Sequence, residues 1–400
     1  MKLLMLSHGY PPTVSGVTLV VQKISRALVR KGHQVTVLTA SERRKPYSAM
    51  DEGVQLVRIH SIPNLFWREG PIPYIWPGEL RRVIADVQPD LIHTHENAVL
   101  SRQLLRLRRE LPVPLVSSCY FLPRYVTHYL QWGKPLETRI RGALWKSTIK
   151  NLNQYDHVIF STRSQQKSFL EHGLVTPSIA ISNGLDTTRY NDGNNGISEV
   201  EARYRLPDAP RVLFVSRLAK DKKIDLLIEA MPRIHAETGG HLLLAGRGDD
   251  RERLEQIVHA LGLQEIVHFL GFVPEADLPA IYRASDLFAI ASICEVQSIP
   301  ALQAAATGLP LVAADAAALP EIVHSGVNGF LVPPEDREAL SKEVIRILKN
   351  PELAAAFGRA SLEISRQHAE EETFNQYETF YREVIAKGRV NPLPLPASRA

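Results

Sequence analysis

SDLFAIASICEVQSIPALQAAATGLPLVAADAAALPEIV, residues 285–323, decides the fold of this chain. Two short apolar runs, 287–291 and 309–313, predict buried strands, and the apolar stretch between them predicts a helix. Glu295 lies in the loop after the first strand. In such a strand–loop–helix–strand unit, the loop and the helix start lie at the carboxyl edge of a parallel sheet, where α/β proteins bind ligands. We therefore expect Glu295 to line a cleft rather than face open solvent.

The same alternation of strands and helices extends along the chain. One series begins at Met1, a second begins at Arg211, and the polar, turn-rich stretch 182–209 separates them. This order predicts an α/β fold with two Rossmann-like domains in tandem, facing each other across a cleft. The expected parts are an N-terminal domain at 1–190, a C-terminal domain at 191–370, a helix at 371–388 that crosses back to the first domain, and a disordered tail at 389–400.

Charge is divided unequally between the two halves. Residues 1–180 hold 24 Lys and Arg against 12 Asp and Glu, a net +12, whereas residues 181–400 hold 23 against 31, a net −8. All four tryptophans lie in the basic half: Trp67, Trp76, Trp132 and Trp145. Basic side chains interleaved with aromatic ones favour an anionic membrane surface as partner. A basic substrate cleft with tryptophans in the core is the alternative.

The remaining composition narrows the class of protein. The start, MKLLMLSHGYPP, is too short an apolar stretch for a signal peptide and predicts a first buried strand. No apolar run reaches the length of about 18 residues that a transmembrane helix needs. The two cysteines, Cys119 and Cys294, form no metal-binding spacing. We expect a cytoplasmic protein, peripheral on the inner face of the membrane, with no metal, no cofactor and no nucleic-acid partner.

The stretch 285–323 resembles the donor-site signature of retaining GT-B glycosyltransferases of the family 4 type. That signature is Glu, seven residues, Glu, then Ala-x-Ala-x-Gly-x-Pro; here Glu295 keeps the first carboxylate and Gln303 replaces the second. SNGLDTTRY at 182–190 is similar to a second family motif, and the resemblance runs from Met1 to about Lys387. It implies retaining, metal-independent transfer of a hexose from a nucleotide-diphosphate sugar. The lipid glycosyltransferases of diacylglycerol or phosphatidylinositol are the most similar in character, which implies a lipid acceptor.

Two cations follow the first strand of the second series. Arg217 and Lys222, in FVSRLAKDKKI, resemble the Arg and Lys of the family's Gly-Arg-Leu-x-x-x-Lys-Gly segment, with Ser216 and Lys223 where glycines are common. At a strand end and a helix start, both can reach one pyrophosphate and stabilise its charge without a metal. The alternative is a pair of solvated basic residues in a loop.

The resemblance implies further contacts with the donor. Glu295 would hold the sugar hydroxyls and support the positive charge at the anomeric carbon, and Gln303 would bind the ribose without charge assistance. Glu321 matches a family glutamate near this site, or is only a helix-start acid. Other segments would approach the nucleotide, mainly through main-chain groups, although a tight turn or an ordinary loop would look the same. These residues are Gly246, Gly248, Phe272, Val273, Gln297, Ser298 and Ile299.

The first domain departs further from the family pattern. Gly16 is the single glycine where Gly-Gly-Val is common, in a loop that would approach the donor phosphates. His95 is expected to face the cleft, with strand alternation placing His93 on the other face; a zinc site lacks a third ligand. Tyr120 stands where lipid-acting relatives carry a histidine, and tyrosine is a poor base at neutral pH. A retaining mechanism can use the leaving phosphate as base instead.

Segment 119–150 corresponds to the acceptor side of membrane-associated relatives. Its aromatic residues alternate with basic ones, with Glu137 as the one acid. These residues are Tyr120, Phe121, Tyr125, Tyr129, Trp132 and Trp145, with Arg124, Lys134, Arg139, Arg141, Lys146 and Lys150. Because Tyr120 and Gln303 both depart from the pattern, the alternative function is a catalytically weakened relative. It would bind a nucleotide sugar or lipid and act as a sensor or scaffold.

Overall fold

The computed structural model describes residues 1–13, 15–64, 70–96, 99–123, 134–191 and 196–389. The chain divides into two units. The first comprises Met1–Asn183 and the described residues from Glu371 onward, and the second is Gly184–Glu370. Each unit is an α/β body whose sheet is parallel, apart from one edge strand in the first unit, which confirms the predicted fold class. Residues 390–400, within the tail expected to be disordered, lie outside the described residues.

The first unit is built around an eight-stranded sheet. Its strands are β1 (Lys2–Ser7), β2 (Gln34–Ala40), β3 (Tyr47–Asp51), β4 (Val54–Ile59), β7 (Leu91–Thr94), β8 (Leu115–Cys119), β9 (His157–Phe160) and β10 (Ser178–Ala180). Their order across the sheet is β10-β9-β8-β7-β1-β2-β4-β3, with β3 antiparallel to β4 at one edge. Two short strands, β5 (Ser61–Ile62) and β6 (Ile72–Pro73), form a separate ribbon. The strand order reverses at β1 and β7. Their carboxyl ends therefore flank a topological switch point, where α/β proteins bind ligands.

The second unit has a six-stranded, all-parallel sheet. Its strands are β11 (Arg211–Val215), β12 (His241–Ala245), β13 (Val267–Gly271), β14 (Leu287–Ile290), β15 (Leu311–Ala314) and β16 (Gly329–Val332). The order is β13-β12-β11-β14-β15-β16, so the switch point lies between β11 and β14. Both strands are almost entirely buried, as a parallel sheet covered on two faces requires.

Helices cover both sheets. In chain order they are α1 (Gly16–Arg30), α2 (Pro77–Val87), α3 (Val99–Leu107), α4 (Lys134–Leu152), α5 (Arg163–Glu171), α6 (Thr187–Tyr190), α7 (Ile197–Tyr204), α8 (Ile224–Thr238), α9 (Arg251–Ala260), α10 (Leu278–Arg283), α11 (Ile299–Ala306), α12 (Arg337–Leu348), α13 (Pro351–Arg366) and α14 (Glu370–Lys387). Single turns of 3-10 helix lie at Arg108–Glu110, Lys220–Lys222 and Leu319–Glu321.

Helix α14 completes the core of the first unit. Its residues Phe374, Tyr377 and Tyr381 are buried in one cluster with residues of β1, β2 and α1. Their apolar surface stabilises the fold only when this helix is docked. The helix therefore belongs to the first unit in packing, although it follows the second unit in sequence.

Candidate active site

A cation and a carboxylate predicted from separate motifs meet in the second unit. Lys222 follows β11 and Glu295 follows β14, the strands on either side of the switch point. The Lys222 ammonium donates to Glu295 Oε1 at 2.8 Å, and Asp221 Oδ2 lies 3.5 Å from the same nitrogen. All three residues are buried. We call Asp221, Lys222 and Glu295 the charged centre. Asp221 was missed in the sequence, where its signal was an acid inside the basic run KDKK.

Two opposing effects set the pKa of Lys222. Burial alone would lower it, because an ammonium loses hydration away from water. The attraction and hydrogen bond of Glu295, with a further contribution from Asp221, outweigh burial and raise the pKa above its ordinary value. Lys222 is therefore a permanent cation at physiological pH. It can stabilise negative charge, but it cannot act as a base.

Arg217 takes a different position from Lys222. Its side chain is 60% exposed, and its Nη2 atom lies 3.9 Å from Asp221 Oδ1. The two predicted clamp residues therefore lie on either side of Asp221, Lys222 buried against Glu295 and Arg217 directed to solvent. A guanidinium at the surface presents N–H groups in the planar geometry that phosphate oxygens accept in paired hydrogen bonds.

Lys223 occupies a backbone position at which glycine is common in the family. Its φ is 50°, in the left-handed region where glycine is favoured. The lysine adopts this conformation at a cost of roughly 1 kcal/mol. Its ammonium lies 2.5 Å from Glu335 Oε1, an acid whose side chain is mostly exposed. Lys222 and Lys223 are thus adjacent lysines with different surroundings, one buried between two carboxylates and one half-buried beside an exposed acid.

The start of α11 lies directly after Glu295. Ser298 is the N-cap, and its hydroxyl accepts a hydrogen bond from Ala301 N at 3.4 Å. The main-chain amides of Ser298 and Ile299 make no hydrogen bond within the part of the chain that the structure describes. Gln297 and Ser298 are buried. These amides stand at a helix N-terminus, the position predicted to meet phosphate oxygens.

Gln303 is held by a residue that the sequence did not indicate. It is buried in α11, and the Tyr282 hydroxyl lies 3.0 Å from its Oε1 and 3.1 Å from the main-chain oxygen of Pro300. Tyr282 is fully buried, a polar aromatic residue in an apolar helix. Among the described residues, the Gln303 amide nitrogen has no hydrogen-bond partner. The side chain therefore offers a donor, where a glutamate would offer only acceptors.

Gly246 and Gly248 are required by packing. A Cβ at Gly246 would lie 1.8 Å from Ser216 O, and one at Gly248 would lie 2.0 Å from Leu218 O. The turn after β12 is hydrogen-bonded to the segment after β11, with Leu218 N donating to the main-chain oxygen of Arg247 at 3.0 Å. The tight-turn alternative therefore accounts for both glycines, and their contact with a nucleotide stays a prediction.

Three further predicted residues, Phe272, Val273 and Glu321, follow other strands of the same sheet. Phe272 and Val273 follow β13; Phe272 is 61% exposed, whereas Val273 is buried. Glu321 ends the 3-10 turn after β15 and is half-buried. Burial lowers the pKa of His368, and the Glu321 carboxylate acts in the opposite direction. Glu321 is thus near His368, and its role towards a donor stays a prediction.

At the first sheet, Gly16 begins α1. Ser15 caps the helix, and its side chain and that of Thr18 form a reciprocal capping box. A Cβ at Gly16 would meet nothing within 4 Å. Packing of the chain does not require glycine here, so close approach of a ligand remains the predicted reason for it.

The interpretation that His93 and His95 face opposite ways is wrong. Side chains along a strand repeat with a period of two, so residues i and i+2 share a face. The two ring centroids lie 3.9 Å apart, and each side chain is 1% exposed. Burial lowers the pKa of His95 to about 3 and holds that of His93 well below its ordinary value, with repulsion from His95 adding to the effect. Both imidazoles are therefore neutral at physiological pH.

His93 connects two elements of the first unit. Its Nδ1 lies 2.6 Å from the Tyr381 hydroxyl of α14, and its Nε2 lies 2.9 Å from Ser118 Oγ of β8. Since Tyr381 and Ser118 are both buried, the two hydrogen bonds satisfy groups that water does not reach.

Tyr120 is held from three sides. His95 Nδ1 lies 3.1 Å from its hydroxyl, which also forms hydrogen bonds with Ser118 and with Tyr377 of α14. Burial raises its pKa well above the ordinary value. We call these six residues the imidazole–tyrosine network: His93, His95, Ser118, Tyr120, Tyr377 and Tyr381. The sequence predicted His95 and Tyr120 separately, but it gave no sign that α14 supplies Tyr377 to Tyr120 and Tyr381 to His93.

The predicted acceptor segment is described only in part. Residues 124–133, with Arg124, Tyr125, Tyr129 and Trp132, lie outside the described residues, and so does the Lys134 side chain. On α4, Arg139, Lys146 and Lys150 are exposed, and Arg141 is half-buried 3.5 Å from Glu137. The described part of α4 thus presents a basic surface.

The tryptophans do not behave alike. Trp145 packs against Phe169, with ring centroids 4.8 Å apart, and stacks on His172 at 3.8 Å. It fits the core alternative rather than an interfacial anchor. Trp76 is 61% exposed beside Tyr74. Trp67 lies outside the described residues, so Trp76 is the described tryptophan that a membrane surface could reach.

The described residues contain neither a cluster of metal ligands nor a helix that could span a membrane. No group of three or more His, Cys, Asp or Glu residues among them is arranged to hold a metal ion. Within the same residues, no helix combines the length and the apolar character needed to cross a membrane.

Comparison with known proteins supplies the family. The model described as Glycosyltransferase Family 4 matches residues 14–189, and the model described as Glycosyl transferases group 1 matches residues 198–363. An uncharacterized glycosyltransferase of Methanocaldococcus jannaschii is 28% identical, over 88% of this chain and 90% of the relative. D-inositol 3-phosphate glycosyltransferase of Corynebacterium aurimucosum is 26% identical, over 93% and 91%. A GDP-mannose-dependent alpha-(1-6)-phosphatidylinositol monomannoside mannosyltransferase of Mycobacterium tuberculosis is 24% identical, over 90% and 93%.

Solved structures share the fold. Sucrose-phosphate synthase of Thermosynechococcus elongatus aligns with a TM-score of 0.77 at 23% identity, covering 97% of this chain and 100% of that one. Anabaena HepE, solved with UDP, aligns with a TM-score of 0.75 at 21% identity, covering 96% and 100%. The two family matches lie end to end and take in most of both units. The chain belongs to the group 1 glycosyltransferases of the family 4 type, and is a GT-B enzyme of the hexosyltransferase class that takes its sugar from a nucleotide sugar.

Proposed function

We propose that this enzyme transfers a hexose, with retention of anomeric configuration and without a metal, from a nucleotide-diphosphate sugar to a hydroxyl of a membrane lipid. The observation that supports the donor part most is the order of groups along the second sheet's carboxyl edge. From β13 through β12 and β11 to β14, the strand ends carry Phe272, Gly246, the cations Arg217 and Lys222, and Glu295. A nucleotide sugar has its base, diphosphate and hexose in the same sequence.

In this proposal the charged centre and Arg217 together stabilise the charges that develop during the reaction. Arg217 and Lys222 stabilise the departing diphosphate, and Glu295 holds the sugar hydroxyls and supports the positive charge that develops at the anomeric carbon. The Lys222–Glu295 contact of 2.8 Å puts the cation of the phosphate site beside the carboxylate of the sugar site. These fixed cations supply the stabilisation for which other transferases use a divalent ion.

The anomeric configuration is retained because the acceptor attacks the anomeric carbon on the face from which the leaving group departs. The bond from the anomeric carbon to the phosphate oxygen breaks while the bond to the acceptor oxygen forms on the same side. The acceptor proton passes to the leaving diphosphate, so no side-chain base is required. Tyr120, whose pKa is raised well above its ordinary value by burial, is in keeping with this absence of a base.

The lipid acceptor is supported by relatives and by charge. One relative is named for the phosphatidylinositol monomannoside on which it acts. The first 180 residues carry a net charge of +12, and Arg139, Lys146 and Lys150 of α4 are exposed. Basic side chains near an anionic leaflet each contribute about 1 kcal/mol of attraction. We infer a cytoplasmic enzyme, peripheral on the inner face of the membrane.

Transfer is tested with purified protein, UDP-glucose or GDP-mannose, and vesicles that contain diacylglycerol or phosphatidylinositol, with and without EDTA. We expect one donor to yield a glycolipid whose anomeric configuration, measured by NMR, equals that of the donor, at a rate that EDTA does not change. An inverted product or an EDTA-sensitive rate contradicts the corresponding part of the mechanism. Transfer to D-inositol 3-phosphate but to no lipid contradicts the acceptor assignment.

Membrane binding is tested separately. Co-sedimentation with vesicles of phosphatidylglycerol should fall when Arg139, Arg141 and Lys146 are changed to glutamine. A matched control changes Arg233, Arg346 and Lys349, exposed basic residues of the second unit, to glutamine. Equal binding of the two variants would overturn the proposed membrane surface.

A further inference from the structure

We propose that Tyr377 of α14 is a positioning residue for hexose transfer: acting through Tyr120, it holds His95 in the tautomer whose Nε2 accepts a hydrogen bond from a substrate hydroxyl. The inference rests on the proposed function, because it assigns a protein group to the substrate of that reaction. Tyr120 is a position at which this chain departs from the family pattern. Its hydrogen-bond partners show which neighbouring side chain keeps a nitrogen for the substrate.

His95 lies at the switch point of the first sheet. It directly follows β7, and its main-chain nitrogen donates to Leu6 O of β1 at 2.8 Å. The strand order reverses between these two strands, and α/β proteins bind their ligands at such a reversal. Tyr120 follows β8, one strand further from the reversal. His95 is therefore nearer than Tyr120 to the place where a substrate is expected.

The Tyr120 hydroxyl is already occupied by side chains of the protein. Its three partners are His95, Ser118 and Tyr377. Burial raises the pKa of Tyr120 well above its ordinary value and raises the pKa of Tyr377 to about 12. The hydrogen bond between the two hydroxyls adds to the rise in pKa at Tyr120 and opposes it at Tyr377, as expected when Tyr120 donates and Tyr377 accepts. The single proton of Tyr120 therefore points to Tyr377, and its oxygen is left as an acceptor.

That donation fixes the tautomer of His95. Its Nδ1 lies 3.1 Å from the Tyr120 hydroxyl. Because the Tyr120 oxygen accepts in this contact, Nδ1 must carry the proton. A neutral imidazole has one N–H group, and burial, which lowers the pKa of His95 to about 3, keeps the ring neutral. Nε2 is then a bare acceptor. This nitrogen is buried and has no hydrogen-bond partner within the described residues.

An unpaired buried nitrogen at a switch point indicates a ligand. Leaving such an acceptor without a donor costs about 1–3 kcal/mol, and folded proteins pair most buried polar groups for this reason. The donor hexose and an alcohol acceptor both present hydroxyl groups, the donors that a bare imidazole nitrogen requires. Because its pKa is about 3, His95 accepts this hydrogen bond without taking the proton. It orients the hydroxyl, and the acceptor proton still passes to the leaving diphosphate.

Helix α14 offers a matched control one turn after Tyr377. Tyr377 and Tyr381 are both buried, at 1% and 0% exposure, but the Tyr381 hydroxyl is paired with His93 at 2.6 Å. Removing either hydroxyl leaves one buried group unpaired, so the two changes should cost comparable stability. Of the two, Tyr377→Phe is the change that frees the Tyr120 proton to turn towards His95 Nδ1. The proton of His95 then moves to Nε2, which becomes a donor.

The tautomer is tested by nitrogen NMR of the full-length protein labelled in histidine, at neutral pH and without substrate. Protonated and bare imidazole nitrogens differ widely in chemical shift, and His95→Asn identifies the His95 signals by their loss. We expect a protonated Nδ1 and a bare Nε2 in the wild type. Tyr377→Phe should exchange the two, whereas Tyr381→Phe should leave them as in the wild type. A bare Nδ1 in the wild type, or no exchange in Tyr377→Phe, overturns the inference.

The role in the reaction is tested by steady-state transfer and, without acceptor, by hydrolysis of UDP-glucose or GDP-mannose, whichever the wild type uses. In Tyr377→Phe and in His95→Asn, kcat/KM for transfer should fall about tenfold, because one hydrogen bond to the substrate is lost. The double variant should fall no further, since both changes act on the same nitrogen. Tyr381→Phe should lose stability with kcat/KM unchanged. A loss in hydrolysis as well assigns the hydroxyl to the donor, and a loss in transfer alone assigns it to the acceptor.

Two kinetic results would overturn the inference. Equal losses of kcat/KM in Tyr377→Phe and Tyr381→Phe would show that Tyr377 has only a structural role. Unchanged kinetics in Tyr377→Phe, once its tautomer has exchanged, would show that His95 Nε2 meets only water. Both leave the proposed function intact, since the wild type is active. If the wild type transfers no hexose and hydrolyses neither donor, the proposed function fails and the inference fails with it. Thermal unfolding checks that each variant is folded.

Discussion

The carboxyl edges of the two sheets occupy equivalent places in the topology but differ in charge. At the second sheet, strand ends on either side of the switch point bring together one buried cation and two buried carboxylates. At the first sheet, the neighbouring strands β7 and β8, with α14, bring together neutral imidazoles and phenols, with the pKa of His95 lowered to about 3. The same backbone arrangement therefore supports ionic chemistry in one unit and neutral hydrogen bonding in the other.

The difference follows from the cost of burying charge. A buried ion is tolerated when an opposite charge and hydrogen bonds compensate its lost hydration, as Glu295 does for Lys222. His93 and His95 have no carboxylate in contact among the described residues, so burial keeps them uncharged. Four substitutions or conditions separate these two kinds of site, in order of decreasing effect.

The largest effect is expected from the charged centre. Lys222→Met removes the cation, and turnover should fall by about 10²–10³-fold because the developing phosphate charge loses its stabilisation. It also leaves Glu295 buried without its partner, which should cost about 3–5 kcal/mol of stability. Lys223→Met is the matched control and should retain activity, since its partner Glu335 is exposed. Steady-state kinetics and thermal unfolding measure both, and equal loss in the two variants would contradict the assignment.

Acid pH should act on the first unit. The unfolded chain protonates His95 below about pH 6.5, whereas the folded chain does not until about pH 3, so stability is lost as pH falls through that window. At pH 5 the loss from His95 is about 2 kcal/mol, with a further loss from His93. Thermal unfolding at pH 7 and pH 5 measures it. His95→Gln should flatten the dependence, and an unchanged dependence would break the comparison.

A smaller effect is expected from one hydroxyl of the imidazole–tyrosine network. Tyr381→Phe removes the partner of His93 Nδ1, and leaving that buried nitrogen without a hydrogen bond should cost about 1–3 kcal/mol. Tyr190→Phe is the control, because the Tyr190 hydroxyl is buried without a hydrogen bond within the described residues. Its removal should be neutral or stabilising. Urea unfolding of the two variants gives the difference, and equal costs would show that the network contributes no stability.

The smallest effect concerns Gln303. Gln303→Glu restores a carboxylate that can accept from ribose hydroxyls, and charge-assisted hydrogen bonds are about twice as strong as neutral ones. We expect the KM for the nucleotide sugar to fall about fivefold with kcat nearly unchanged. A higher KM would mean that the amide donor, held opposite Tyr282, is what this enzyme's donor requires.

Alternation of buried strands with helices predicted the fold, because the apolar residues of each strand show by themselves that the strand is buried. The order of strands across the sheet cannot be predicted in this way, since the neighbours of β11 come from residues that lie far apart in the chain. Spacing likewise indicated Lys222 and Glu295 separately, but their contact joins positions 73 residues apart. The partners of His93 and Gln303 were missed for the same reason: Tyr381 and Tyr282 read in sequence as ordinary core aromatics.

The packing of α14 also bears on how the chain is made. Phe374, Tyr377 and Tyr381 complete the first unit's core, yet the ribosome adds them after the whole of Gly184–Glu370. During translation the second unit can fold from contiguous residues, whereas the first must wait with part of its core and the partner of His93 still missing. The unit that starts first is thus the one that finishes last. During synthesis it is therefore the basic first unit whose incomplete core is exposed to aggregation for the longer time.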